Sequence, residues 1–145
     1  MHGVTRWEEN WRAIAPLSAT RAHVPRSSSD RQACASELRS LPVGSPVVLV
    51  AAAPRAGARC REVAAHGRLA IEQSYLAFPS ATAPAYLVED ERATAQAFVQ
   101  SVLTVPPQST LALPMQAALR LLRLFGAWRF LRLFAPGRVV VGRRT

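Results

Sequence analysis

The residue types that most often carry catalysis are sparse in this 145-residue sequence and form no recognisable constellation. His2, His23 and His66 have no serine or cysteine at triad spacing, and neither an HxxxH nor an HExxH pattern occurs. Cys34 and Cys60 lack metal-ligand spacing with each other or with a histidine. We therefore predict no catalytic residue and no metal ligand, and two idle thiols in a reducing, cytoplasmic compartment.

Arginine dominates the charge of the chain, whose formal net charge is +9. All 18 basic residues are arginine, and together with 11 prolines and abundant alanine this usage is typical of a GC-rich coding sequence. A high pI is then a weaker indicator of nucleic-acid binding. Residues 1–91 contain 10 arginines and 9 acids, whereas residues 92–145 contain 8 arginines and no acid. The positive charge is therefore concentrated in the last third of the sequence.

Met115–Phe134 combines arginines with leucine, phenylalanine and tryptophan. At about 100° per residue, the arginine pairs on either side of Gly126 point in opposite directions, which predicts two short amphipathic helices that meet at Gly126. The cost of burying these arginines exceeds the gain from the apolar residues, so we predict that the segment does not span a membrane. The candidate contacts to an anionic membrane surface are Arg120, Arg123, Arg129 and Arg132.

Two alternatives to a membrane surface remain for this arginine-rich segment. Its apolar faces could pack on the rest of the protein while the arginines stay solvated. The segment could also bind a protein partner. Nucleic acid is a poorer match, because arginines divided between two faces make no continuous stripe.

Leu41–Pro79 is predicted to form a strand, a helix and a second strand. Val47–Ala53 is a continuous apolar run, too short for an independent helix and typical of a strand buried on both faces. Ala56–His66 has small and apolar residues at helical spacing, and Gly67 stands where a helix C-cap belongs. Leu69–Phe78 resumes extended character. A helix of about a dozen residues between two strands indicates a parallel crossover unit.

The first 40 residues are predicted to contain two helices. Thr5 opens a capping box, and Trp7 and Trp11 then share one face of a short amphipathic helix that docks on an apolar surface. Leu17–Asp30 is rich in serine, arginine and proline and is predicted to be a loop. Asp30 is predicted to cap the second helix.

Three further elements are predicted beyond Pro79. Ala85–Val88 is a brief extended piece, and Arg92–Thr104 is a helix. Glu89–Glu91 precedes this helix, where negative charge suits the macrodipole, and we interpret the three acids as a solvated helix start rather than as a metal or catalytic site. Arg138–Arg144 is predicted to be the last strand.

This order of motifs resembles the C-terminal half of the class I S-adenosylmethionine-dependent methyltransferases. Leu38–Gly44 followed by Val47–Val50 is similar to the leucine- and arginine-rich turn that leads into the family's fifth strand. Leu69–Phe78 is similar to the sixth strand. Ala135–Arg144 is similar to the seventh strand, which returns antiparallel between the previous two. The resemblance covers residues 33–145.

The resemblance implies an α/β fold. We expect a partial Rossmann-like methyltransferase sheet of about three main strands, the last of them antiparallel, with helices on both faces. Residues 1–32 would be an N-terminal amphipathic helix and loop. Residues 33–145 would be the methyltransferase-like region, with a helical insertion at residues 80–134.

The cofactor-binding half of the family has no counterpart in the sequence. The family holds its cofactor with a glycine-rich loop after the first strand, where the backbone must approach the ligand closely. Residues 1–40 contain a single glycine, Gly3. The resemblance therefore implies a truncated or split methyltransferase-like protein without independent catalytic activity. It would bind S-adenosylmethionine only if a partner supplies the missing half.

Loss of that half would leave the Val47–Ala53 strand without a neighbour on one side. An apolar strand with an open edge invites pairing with another chain. We therefore expect either self-association or a partner chain that completes the sheet, unless the helix with Trp7 and Trp11 and the loop after it cover the strand.

Overall fold

The computed structural model describes residues 6–101, 114, 117, 120, 121 and 126–145. The chain divides into two compact units, one made of Met1–Leu87 with Ala135–Thr145 and the other of Val88–Phe134. Among the described residues, no helix is long and apolar enough to cross a membrane.

The described elements are five helices and five strands. The helices are α1 (Arg6–Ile14), α2 (Ser28–Arg39), α3 (Ala56–Gly67), α4 (Arg92–Ser101) and α5 (Ala127–Phe134). The strands are β1 (Thr20–His23), β2 (Pro46–Ala52), β3 (Leu69–Phe78), β4 (Tyr86–Glu89) and β5 (Gly137–Arg144).

The strands form one mixed sheet in the order β1-β2-β5-β3-β4. β1 runs parallel to β2, with His23 opposite Val50. β5 pairs antiparallel with β2 on one side and with β3 on the other. The mixed α/β architecture and the antiparallel placement of the last strand are thus confirmed. The expected number of about three strands is wrong, because the short strands β1 and β4 extend the sheet at both ends.

β2 contributes buried apolar side chains to both faces of the sheet, as a central strand does. Val47, Leu49 and Ala51 belong to one buried cluster, which also contains residues of α2 and α3. Val48 and Val50 point to the opposite face, as alternation along a strand requires. The prediction of a strand buried on both faces is confirmed.

Helices cover both faces of β2. On the first face, α2 and α3 contribute Leu38, Cys60 and Val63 to the cluster. On the second face, Trp11 of α1 is only 5 % exposed and packs in a cluster with Val48 and Val50. The predicted docking of the tryptophan helix on an apolar surface is confirmed for Trp11, whereas the side chain of Trp7 and the predicted cap Thr5 lie outside the described residues.

The predicted loop at Leu17–Asp30 is wrong in its middle and at its end. Thr20–His23 forms β1, and α2 begins at Ser28 with Ser27 as its N-cap, so Asp30 lies in the first turn and does not cap the helix. β2 therefore has a neighbour on each side, and the stretch after the tryptophan helix covers its edge, which is one of the two arrangements expected from the sequence. Among the described strands, the two edges of the sheet are β1 and β4.

The predicted C-cap of α3 is displaced by one residue. Gly67 is the last residue of the helix, and Arg68 is the residue with a left-handed backbone, at φ 55°. A Cβ atom on Gly67 would stand 3.4 Å from Cβ of Leu38 and 3.6 Å from the carbonyl oxygen of Ala35. These are ordinary van der Waals distances, so α3 packs against α2 at this point without requiring a glycine.

The Val88–Phe134 unit contains α4 and α5, which contact each other. α5 begins directly after Gly126, whose φ of +102° interrupts the chain direction as predicted. Pro114, Ala117, Arg120 and Leu121 have helical conformation. The rest of the predicted helix between residues 115 and 125 lies outside the described residues, as does the predicted end of α4 beyond Ser101.

We expect Trp11→Ala to lower the free energy of unfolding by about 3 kcal/mol or more, because it leaves a cavity where the indole packs against Val48 and Val50. Chemical denaturation followed by circular dichroism measures the change. Leu17→Ala is the matched control, since Leu17 is 85 % exposed and its truncation should change the free energy by no more than about 0.5 kcal/mol. A loss below about 1 kcal/mol for Trp11→Ala would show that α1 contributes little to the core.

Candidate functional site

The four arginines predicted to contact an anionic surface have different environments. Arg120 and Arg129 are exposed, and Arg123 lies outside the described residues. Arg132 is held by Asp90, with its Nε 3.4 Å from Oδ2 of the carboxylate. Of the three described arginines, Arg132 is therefore paired with a carboxylate, whereas Arg120 and Arg129 are exposed.

Asp90 organises a small polar cluster within the Val88–Phe134 unit. The indole Nε1 of Trp128 donates a hydrogen bond of 3.0 Å to Oδ1 of Asp90, and the guanidinium carbon of Arg132 lies 5.1 Å from the centre of the Trp128 ring. The Asp90 side chain is only 8 % exposed. The prediction of a solvated acid is wrong for Asp90, since burial of a carboxylate is tolerated when it is paired and hydrogen-bonded in this way.

The opposite side of α5 exposes apolar side chains to solvent. Phe130, Leu133 and Phe134 are 44 %, 76 % and 62 % exposed, and the rings of the two phenylalanines stack with centroids 4.3 Å apart. Leu131 is buried. α5 thus buries Leu131 and exposes three large apolar side chains beside the exposed Arg129.

A groove of about 640 Å³ runs along the open edge of the sheet between β1 and α2. The backbone N–H of Val24 donates to the carbonyl oxygen of Val50 at 2.8 Å. Because peptide groups alternate along a strand, the N–H and C=O groups of Arg21 and His23 point away from β2. No described strand pairs with these outward peptide groups, which lie beside a groove.

A second cavity, of about 400 Å³, lies where β1 and β2 end and α3 begins. It is lined by four arginines and one glutamate together with Pro54 and Ala58: Arg26, Arg31, Arg55, Arg59 and Glu62. Sequence reasoning missed this site, because the four arginines come from three separate stretches of chain. The one available signal was the pair Arg55 and Arg59, four residues apart at the start of a helix.

The two thiols have different surroundings and form no disulfide. Burial raises the pKa of Cys60 to about 12, against a smaller opposing effect of Arg138 and Arg59. Cys34 is half-buried in the wall of the β1 groove, and its pKa is raised first by burial and then by Glu37. Among the described residues, no group of three histidine, cysteine or acidic side chains is arranged to hold a metal ion.

The two described histidines lie on different elements, His23 on β1 and His66 on α3. Nδ1 of His66 lies 2.9 Å from the carbonyl oxygen of Glu62, one turn earlier in α3, and His23 lines the β1 groove. His2 lies outside the described residues.

β1 is followed by Val24 and Pro25, so the described chain has no glycine-rich loop at the end of its first strand.

No family model matches the chain, and no match was found among curated proteins or solved structures.

We expect Cys34 to react with a thiol reagent such as Ellman's reagent at pH 8, while Cys60 stays unmodified in the folded protein. The raised pKa keeps Cys60 protonated at that pH, and its side chain is fully buried. Absorbance should report one reactive thiol in the native protein and two in denaturant. Cys34→Ser is the control and should abolish the native reaction. Equal rates for both thiols would contradict the described packing of Cys60.

Proposed function

We propose that these 145 residues form the C-terminal half of a class I S-adenosylmethionine-dependent methyltransferase fold and transfer no methyl group by themselves. The half that binds the cofactor is not contained in them. In this proposal it docks at the open edge of β1 and completes the sheet. The two free thiols suit the reducing, cytoplasmic compartment that belongs to the same proposal.

The observation that carries the proposal is the sheet order. The family inserts its last strand antiparallel between its fifth and sixth strands, and the order β2-β5-β3 has this arrangement. α3 connects β2 to β3 as the crossover helix between those two strands. β1 and α2 precede β2 in the positions of the family's fourth strand and the helix after it. The arrangement is a likeness of architecture, and it supports the proposal without a chemical signature.

The β1 edge is the surface where a further strand fits. β1 runs parallel to β2, so an added parallel strand would continue the sheet in the same sense. The outward peptide groups of Arg21 and His23 would provide its hydrogen bonds, and the groove beside α2 leaves room for the side chains on that face. When bound by the missing half, S-adenosylmethionine would supply the methyl group.

The test is co-expression with the product of the neighbouring reading frame, followed by calorimetric titration with S-adenosylmethionine. We expect no binding to this chain alone and binding with a Kd in the micromolar range, about −8 kcal/mol, for the complex. Tight binding by the lone chain would contradict the proposal. A neighbouring product that lacks a glycine-rich loop or does not associate would also contradict it.

His23→Pro provides the edge-specific variant for this experiment. Proline removes one of the two outward N–H groups of β1 and leaves the hydrogen bonds to β2 intact, since the inward groups belong to Ala22 and Val24. We expect the variant to fold and to lose the complex, whereas the control His23→Val should keep it.

The lone wild-type chain should self-associate through the same edge in sedimentation velocity, and His23→Pro should weaken that association.

A second candidate function is binding to an anionic membrane surface through α5. The observation that favours it is the exposure of Phe130, Leu133 and Phe134 next to Arg129. An amphipathic helix of this kind places its apolar side chains at the acyl boundary and its guanidinium groups at the phosphates. Arg132 is less suited to this role than the sequence predicted, because Asp90 already pairs with it. Nucleic acid remains a poorer candidate ligand than a membrane surface, because the sequence divides the arginines of this segment between two faces.

Co-sedimentation with vesicles tests this second function. We expect binding to vesicles containing phosphatidylglycerol, reduced binding to pure phosphatidylcholine, and a loss on adding salt. Leu133→Ser should weaken binding to both vesicle types, whereas Arg129→Ser should weaken only the anionic component, by about fivefold for about 1 kcal/mol. Arg92→Ser on α4 is the control and should bind as the wild type does. Equal partitioning with and without the anionic lipid would exclude the function.

A further inference from the structure

The arginine cavity at the carboxyl ends of β1 and β2 has an excess of positive charge that the described side chains do not balance. Arg26 lies just beyond β1, Arg31 in the first turns of α2, and Arg55 and Arg59 at the start of α3. Glu62 is the one acid in the lining, and it forms an ion pair with Arg31, with Nε 3.0 Å from Oε2. Three arginines therefore face the cavity without a carboxylate.

Arg59 is the fixed centre of the cluster. It is only 8 % exposed, and its guanidinium group donates to the carbonyl oxygens at the two strand ends, to Val24 at 3.4 Å and to Pro54 at 3.1 Å, and to Ala52 as well. These acceptors are neutral, so they orient the guanidinium group without cancelling its charge. Burial lowers the pKa of Arg59, and the charge of Arg26 lowers it further.

The neighbouring arginines are also oriented by backbone carbonyls. Arg26 donates to the carbonyl oxygen of Ala53 at 3.0 Å, and Arg31 donates to the carbonyl oxygen of Arg26 in addition to its ion pair. Arg55 is exposed and has a left-handed backbone, at φ 57°. The cluster thus combines three guanidinium groups held in place with that of Arg55, which is exposed and can turn towards a ligand.

The N-terminus of α3 adds to the positive electrostatic potential of the cavity. No side chain caps this end of the helix, and its first turn contains no acid. Ala58, in that first turn, lines the cavity. The unpaired N–H groups and the positive end of the helix dipole therefore reinforce the charge of the arginines.

We propose that this cavity binds the phosphate group of a small phosphomonoester through Arg26, Arg55 and Arg59. A phosphate dianion supplies the negative charge that the lining lacks, and the planar guanidinium fork matches its oxygens in a bidentate manner. A volume of about 400 Å³ lies within the range of small-molecule sites and leaves space for an organic group beyond the phosphate. This site belongs to the Met1–Leu87 part of the chain and requires neither the cofactor half nor a membrane.

Thermal unfolding and calorimetry of the full chain test the proposal, with inorganic phosphate and phenyl phosphate as probes. Both should raise the melting temperature relative to sodium chloride of equal ionic strength, since a ligand that binds only the folded state stabilises it. Tighter binding of phenyl phosphate than of inorganic phosphate would place an organic group in the cavity. Tighter binding of inorganic phosphate would assign the site to the free anion and overturn the phosphomonoester proposal.

The variant Arg26→Gln/Arg55→Asn removes two of the three charges and keeps a residue that tolerates the left-handed backbone at position 55. We expect its Kd for both probes to rise by at least about tenfold. Arg55→Asn alone should also raise the Kd for both probes, by a smaller factor. This single variant replaces the double variant in the test if the double variant does not fold. Arg61→Ser is the matched control, because Arg61 is exposed on the same helix and does not line the cavity.

Two results would overturn the site. One is stabilisation by phosphate that does not exceed stabilisation by chloride. The other is an equal loss of binding in Arg61→Ser and in the double variant, which would show a diffuse attraction to a basic protein rather than a site.

Discussion

The fold depends on the insertion of β5 into the gap between β2 and β3. The crossover through α3 leaves these two strands one strand apart, and β5 pairs with the facing edge of each. Without it, two rows of peptide groups would lie unpaired beside apolar side chains, at a cost of about 1–3 kcal/mol for each buried group. The fit is close enough that Gly142 has no room for a Cβ atom, which would contact the carbonyl oxygen of Ala70.

β5 also joins the two layers of the core. Val140 belongs to the cluster beneath α2 and α3, whereas Val139 and Val141 belong to the cluster that Trp11 covers. The three consecutive valines of β5 therefore point to alternate faces of the sheet. Their β-branched side chains suit a pleated surface. α1 completes the second layer, because Trp11 covers Val48 and Val50. Among the described strands, β1 and β4 form the two edges of the sheet.

The sequence allowed the centre of the sheet to be predicted, because β2, β3 and β5 are apolar enough to be identified without knowledge of their neighbours. β1 was missed because an edge strand needs no apolar pattern, and three of its four residues are exposed. The sequence predicts a solvated Asp90 because its partner Trp128 lies 38 residues further along the chain. The role of Arg59 was likewise hidden, since its carbonyl partners at two strand ends are brought together only by the folded sheet.

The placement of β5 has a consequence for synthesis. Residues 79–136 separate β3 from β5, so a ribosome adding about 5–20 residues per second needs about 3–12 s to pass from one strand to the other. During that interval the facing edges of β2 and β3 have no partner, and the valine-rich β2 is the kind of segment that pairs with other nascent chains. Any chaperone dependence of this protein should therefore arise in the window before the glycine at position 137 has emerged.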